Sequence, residues 1–226
     1  MPKPNKPTFS YPTAMVFAAA VRAFRNNNAY HKADLVEYID TEQGTECKVT
    51  PRNMTLMRQY LTDTPEAIKE EDINQARKII EYYQSKLLDL MSGKLNSYSQ
   101  AATHIVNKET ITDLQELGLI ASLPKAYENS IEFDQILEAK ELALAGSNYF
   151  GKVGDNWSGK VTIISSIYSQ KWFRYFHVAQ DIESKNVVNF SSGVSLEIGK
   201  EMIIKGRIKD HVDGKVTRLN YVKIAS

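Results

Sequence analysis

The residues best equipped to do chemistry lie between Lys171 and His177, where Trp172, Phe173, Tyr175 and Phe176 surround Arg174. Flat rings beside fixed cations suit a ligand that is itself flat and anionic. Nucleobases stack on exposed rings, at ~1–3 kcal/mol per base, and phosphates meet the cations. Read as a strand, the segment puts Phe173, Tyr175 and His177 on one face and Trp172, Arg174 and Phe176 on the other. Arg174 asks for a wet face, whereas Val178, which shares it, asks for burial; a bulge in this strand would reconcile them. The competing reading is that these rings only pack the core and ends of a small β domain. A second group, Lys205, Arg207 and Lys209, alternates with Ile204, Gly206 and Ile208, so a basic row backs an apolar one. With His211, Lys215 and Arg218 it makes an electrostatic track for a nucleic-acid backbone. The plainer alternative is a strand face kept soluble by lysines.

Other chemistries find little support. The four histidines (His31, His104, His177, His211) are scattered, and Cys47 is the single cysteine. No metal-ligand pattern, phosphate-binding loop, dinucleotide fingerprint or hydrolase elbow is present, so no metal, cofactor or catalytic residue is assigned. Glu70, Glu71 and Asp72 read as a helical first turn stabilised by the helix dipole. Asp34–Asp40 followed by Thr50–Asn53 has the outline of a helix-turn-helix, with Arg52 and Asn53 opening the reading helix. The stretch between them is longer than the usual turn of ~3–4 residues.

The elements that must position these groups fall into two kinds. Residues 1–12 hold four prolines and read as a flexible arm. Residues 13–147 follow a helical period. Thr13 caps a first helix that ends at Asn26–Asn28, and a short helix covers Asp34–Asp40. Thr50-Pro51 opens another, and the strongest runs from Glu70 to Ser92 with Gly93 as its stop. Further helices are expected at Tyr98–Asn107 and Thr110–Glu116, stopped by Gly118, and from a Ser130 cap to Gly146. Residues 148–226 change to a period of two. Strands are expected at Gly159–Tyr168, Lys171–Gln180, Val187–Phe190, Met202–His211 and Lys215–Ile224. They are separated by turns at Ser169-Gln170, Ser184–Asn186, Gly199 and Asp213-Gly214. The expected class is therefore multidomain α+β: an all-α amino-terminal domain, then a five-stranded barrel. Charge divides along the same line, with 16 Lys+Arg against 20 Asp+Glu up to Ser147 and 12 against 7 after it. A basic half hints at an anionic partner. No stretch approaches the ~20 apolar residues of a membrane span, and one cysteine fits a reducing, cytoplasmic compartment.

The stretches FHVAQDIESKNVVNF, IGKEMIIKGRIKDH and DGKVTRLNYVKI resemble the OB-folds of single-stranded nucleic-acid-binding proteins, with matching positions Asp181, Asn186–Phe190 and Gly199–Gly206. Ser184-Lys185-Asn186 replaces the glycine often found in that turn. The order of a helical region, Ser122-Leu123-Pro124 and a basic domain ending Thr217–Lys223 also resembles uncharacterised proteins of large tailed bacteriophages. The resemblance implies non-catalytic binding of single-stranded DNA or RNA, DNA first, in phage replication, recombination or transcription within the host cytoplasm. The helical domain would serve oligomerisation or docking to replication or transcription proteins. The rival is a protein-interaction module that tethers the chain to a polymerase, a helicase or a virion component.

Overall fold

The computed structural model describes residues 9–41, 44–212 and 215–225, which separate into two compact units divided in sequence between Ser130 and Ile131. Residues 1–8 of the expected arm and the Asp213-Gly214 turn lie outside the described residues. Among the described residues no helix is long and apolar enough to cross a membrane.

The first unit is built around one helix. α1 (Thr13–Asn27) buries Val16 to Val21 and Ala23 almost completely, so it is apolar on nearly every side, the mark of a central helix. Asn28, in the left-handed conformation, closes it. Thr13 does not cap it; its hydroxyl donates to the Lys108 carbonyl at 2.6 Å. Just before it, β1 (Tyr11–Pro12) pairs with β4 (Thr110–Ile111). Phe9 and Tyr11 pack on the core, so the arm is not free over residues 9–12. Around α1 stand α2 (Asn53–Thr62), α3 (Glu70–Ser85), the short α4 (Leu87–Met91), α5 (Ser97–Val106) and the start of α6 (Glu116–Ala145). Met57, Ile79, Tyr83, Ile105, Leu117, Ile120 and Leu123 supply their contributions to one shared core.

Four further expectations fail in this unit. Residues 34–40 are not helical: β2 (Leu35–Thr41) pairs with β3 (Gly44–Thr50), Val36 opposite Val49 and Tyr38 opposite Cys47. Alternation of apolar residues over so short a run fits a strand as well as a helix, and the β-branched content decides for the strand. The unit is thus not all-α, and the helix-turn-helix loses its first helix. Thr110–Ile111 likewise pairs as a strand instead of opening a helix. The long helix predicted over Glu70–Ser92 breaks at Lys86, between α3 and α4. Finally, α6 runs unbroken through Gly118, Pro124 and Ser130. A helical glycine costs only ~1 kcal/mol against alanine and does not by itself stop a helix.

The second unit holds the carboxy-terminal half of α6 and a closed five-stranded barrel ordered β5-β6-β7-β9-β8. The strands are β5 (Asn156–Ser169), β6 (Arg174–Asp181), β7 (Val187–Ser192), β8 (Glu201–Val212) and β9 (Val216–Ala225). All neighbours are antiparallel except β7 and β9, which run parallel over Val187–Asn189 and Val216–Arg218. The arrangement is compatible with an OB-like fold, and each strand overlaps its expected window. Val161, Ile163, Ala179, Val188, Phe190, Ile204, Ile208 and Leu219 fill the interior. Outside, Ala143 and Leu144 of α6 cover Ile164, Val178, Val187 and Val216. Ser147 ties the chain to the barrel end: its hydroxyl donates to the Lys215 carbonyl and accepts from Val187 N at 2.8 Å. The glycine missing from the β6–β7 turn is answered by Lys185, whose φ is +59°. Asp181 organises that turn by accepting from Ser184 N at 2.8 Å and from the Ser184 hydroxyl at 2.6 Å.

Candidate nucleic-acid interface

β5 and β6 form a hairpin whose ladder continues to its tip: Ile167 faces Phe176, Tyr168 faces Tyr175, and Ser169 faces Arg174. A tight turn follows, with Trp172 N donating to Ser169 O at 3.3 Å. Phe173 occupies the left-handed region at φ +50°. The turn carries Lys171, Trp172 and Phe173 into solvent, with Trp172 62% and Phe173 79% exposed. The Lys171 ammonium lies 5.2 Å from the Trp172 ring centroid, within cation–π range.

Burial settles the two faces of β6. Tyr175 is half-buried and His177 is 1% exposed, whereas Arg174 and Phe176 are exposed. The expected bulge is not in this strand; the register shift falls on β5, between Ile163 and Ser165. Arg174 and Val178 share the outer face without conflict, because the end of α6 covers Val178 alone. The rings on this face make a chain from the exposed Tyr168 into the core. Tyr168 and Tyr175 lie 5.0 Å apart, Tyr175 and His177 6.4 Å, and His177 and Phe190 4.9 Å. These rings anchor the hairpin, and His177 is not presented to solvent.

His177 Nε2 lies 2.8 Å from the Ser192 hydroxyl. That hydroxyl donates to the Val194 carbonyl at 2.6 Å, so it accepts from His177 and fixes the proton on Nε2. Nδ1 is buried without a partner. Burial lowers the His177 pKa, partly offset by the interaction at Val194. The unfolded imidazole titrates near its ordinary value of ~6.5 and there takes up a proton that the folded one resists. Stability is therefore full above pH ~6.5 and is lost as pH falls toward the depressed folded value. Thermal melts of the protein are expected to drop between pH 7.5 and 5.5, and a His177→Gln variant to flatten that part of the profile. An unchanged slope in the variant would show that other groups control it.

The basic row takes its expected place, with Lys205, Arg207 and Lys209 exposed on the outer face of β8. It does not adjoin the aromatic tip. Lys205 pairs in register with Ser158 and Arg207 with Asn156, while Arg174 faces Ser169 at the other end of β5. About 35 Å of strand separates the two groups at ~3.3 Å per residue. Arg207 Nε donates to Gly154 O at 2.8 Å, so part of its guanidinium holds a loop. Arg218 pairs with Asp210 at 3.2 Å. The structure thus brings together Lys171, Trp172, Phe173 and Arg174. It turns Tyr175 and His177 inward and sets the β8 cations apart. Ile167, an exposed residue beside Phe176, was missed because the sequence alone does not give the hairpin register.

Among the described residues no group of three or more His, Cys, Asp and Glu converges as a metal site would. No family model, curated protein or solved structure matches this chain.

Proposed function

We propose that the barrel is an OB-fold that binds single-stranded nucleic acid without catalysis. Bases stack on Trp172 and Phe173, and phosphates meet Lys171 and Arg174. The observation that carries this reading is the hairpin tip itself. Two large rings stand in solvent between two cations, one ring in a backbone conformation that glycine would occupy at lower cost. Neither Lys171 nor Arg174 is ion-paired with a described carboxylate. The position also supports it, because the loop between the first two strands and the face of strands two and three are where OB barrels engage oligonucleotides. The replication, recombination or transcription setting of a tailed phage belongs to this proposal through the resemblance alone.

The test is a titration of labelled single-stranded and duplex oligonucleotides at low and moderate salt. Preference for the single strand is expected, with log affinity falling by ~0.7 per log unit of salt for each phosphate neutralised. Absence of binding by the folded protein at low salt would sink the reading.

One feature favours the rival, a protein-interaction module. The β2–β3 hairpin carries Val36, Tyr38, Cys47 and Val49 in register on one exposed face, and an isolated two-stranded hairpin is at best marginally stable in water. Salt-insensitive behaviour with no oligonucleotide affinity would favour that reading.

A further inference from the structure

The outer face of β8 and β9 carries an arrangement that barrel architecture does not require. Lys205 and Lys223 stand directly opposite each other across the two strands, and like charges so placed are destabilising. Neighbouring cations are neutralised: Lys160 by Glu201 at 2.6 Å and Arg218 by Asp210 at 3.2 Å. Among the described residues no carboxylate forms an ion pair with Lys205 or Lys223.

Next to this pair the register slips. Lys205 faces Lys223 but Arg207 faces Asn220, so Tyr221 and Val222 together oppose Gly206. Val222 turns inward against the core. Tyr221 is the extra residue of the bulge, at φ +52° and 80% exposed. This slot belongs by preference to glycine. A tyrosine there strains the backbone and gains little burial in return, and such outliers gather at functional sites. Alternation hides it: a regular strand would have sent Tyr221 inward with Leu219.

We propose that this face, from Tyr221 to Lys205 and Lys223, is a second contact surface for single-stranded nucleic acid. A base stacks on Tyr221, and the backbone phosphates lie over the paired lysines. The inference rests on the reading of the barrel as a nucleic-acid binder but not on the β5–β6 hairpin. An acidic peptide would use the lysines alone; the unburied ring favours a ligand with bases.

The test uses the full chain and labelled oligothymidine of about 16 nucleotides, the upper range for one OB barrel. Tyr221→Gly is expected to weaken binding about five- to a hundredfold, which is one stacked base at ~1–3 kcal/mol and ~1.4 kcal/mol per tenfold. Its melting temperature should hold or rise, because glycine relieves the backbone. Tyr221→Phe should retain affinity. Lys205→Gln with Lys223→Gln should make the log–log salt slope shallower by about 1.4, at ~0.7 per phosphate. Wild-type affinity in Tyr221→Gly, alongside loss in a Trp172→Ala, Phe173→Gly variant, overturns this proposal and leaves the hairpin reading standing. The reverse pattern supports it and removes the hairpin. No binding by the wild type ends both.

Discussion

Replacing Trp172 with alanine and Phe173 with glycine together is expected to cut affinity for single strands at least about thirtyfold. Two stacked bases are lost at ~1–3 kcal/mol each, and every ~1.4 kcal/mol is a factor of ten. Both side chains are mostly exposed, so little packing is lost with them. Phe173 already holds the left-handed backbone that glycine adopts freely, so its replacement should not lower the melting temperature. Lys171 and Arg174 remain, and so the salt dependence should stay as it is while the affinity falls. That combination separates stacking from charge. If affinity and salt slope both match the wild type, the tip is not the platform. Fluorescence titration at two salt concentrations, with a thermal melt of each variant, reads all three quantities.

The second large effect lies in the helical unit. Asn53 is fully buried at the start of α2. Its Oδ1 accepts from Asn27 Nδ2 at 3.0 Å and from His31 N at 2.8 Å. Its Nδ2 donates to the Ala29 carbonyl at 3.0 Å. One side chain therefore stitches the end of α1 and the chain beyond it to α2. Asn53→Ala removes these three bonds and leaves their half-buried partners unsatisfied, at ~1 kcal/mol for each. A loss of about 3 kcal/mol is expected, or roughly 10 °C in the melting of a unit this size. Oligonucleotide affinity measured below the transition should not change. A base-reading asparagine would give the opposite result, with lost duplex binding and an undisturbed melt.

Asn53 shows where sequence reasoning runs out. A polar residue at the start of a helix looks the same whether it faces DNA or the core, and only the placement of residues 27–31 makes it a buried staple. The barrel strands were legible because alternation over Met202–His211 and the β-branched run after Gly159 leave one face apolar at a period of two. The outward course of Lys205, Arg207 and Lys209 followed from the same alternation. The outer face of β6 was not legible, because Val178 is half-buried in a cluster with Ala143 and Leu144, residues more than thirty positions upstream. The hairpin at 35–50 escaped because seven-residue strands carry too little periodicity to exclude a helix. Tyr221 escaped because a bulge is a relation between two strands and leaves no glycine to mark it.

The strand order has a consequence for how the chain is made. β9 lies between β7 and β8 and hydrogen-bonds to both, yet it is the last of the five barrel strands to be synthesised. Until then the nascent chain carries four strands in the order β7-β6-β5-β8, with β7 and β8 as open edges. Val188, Phe190, Ile204 and Ile208 lie on the face that only closure covers, and unpaired edges with uncovered apolar surface are where growing chains mispair. The barrel closes in a single late event, when residues 216–225 slot between strands already made.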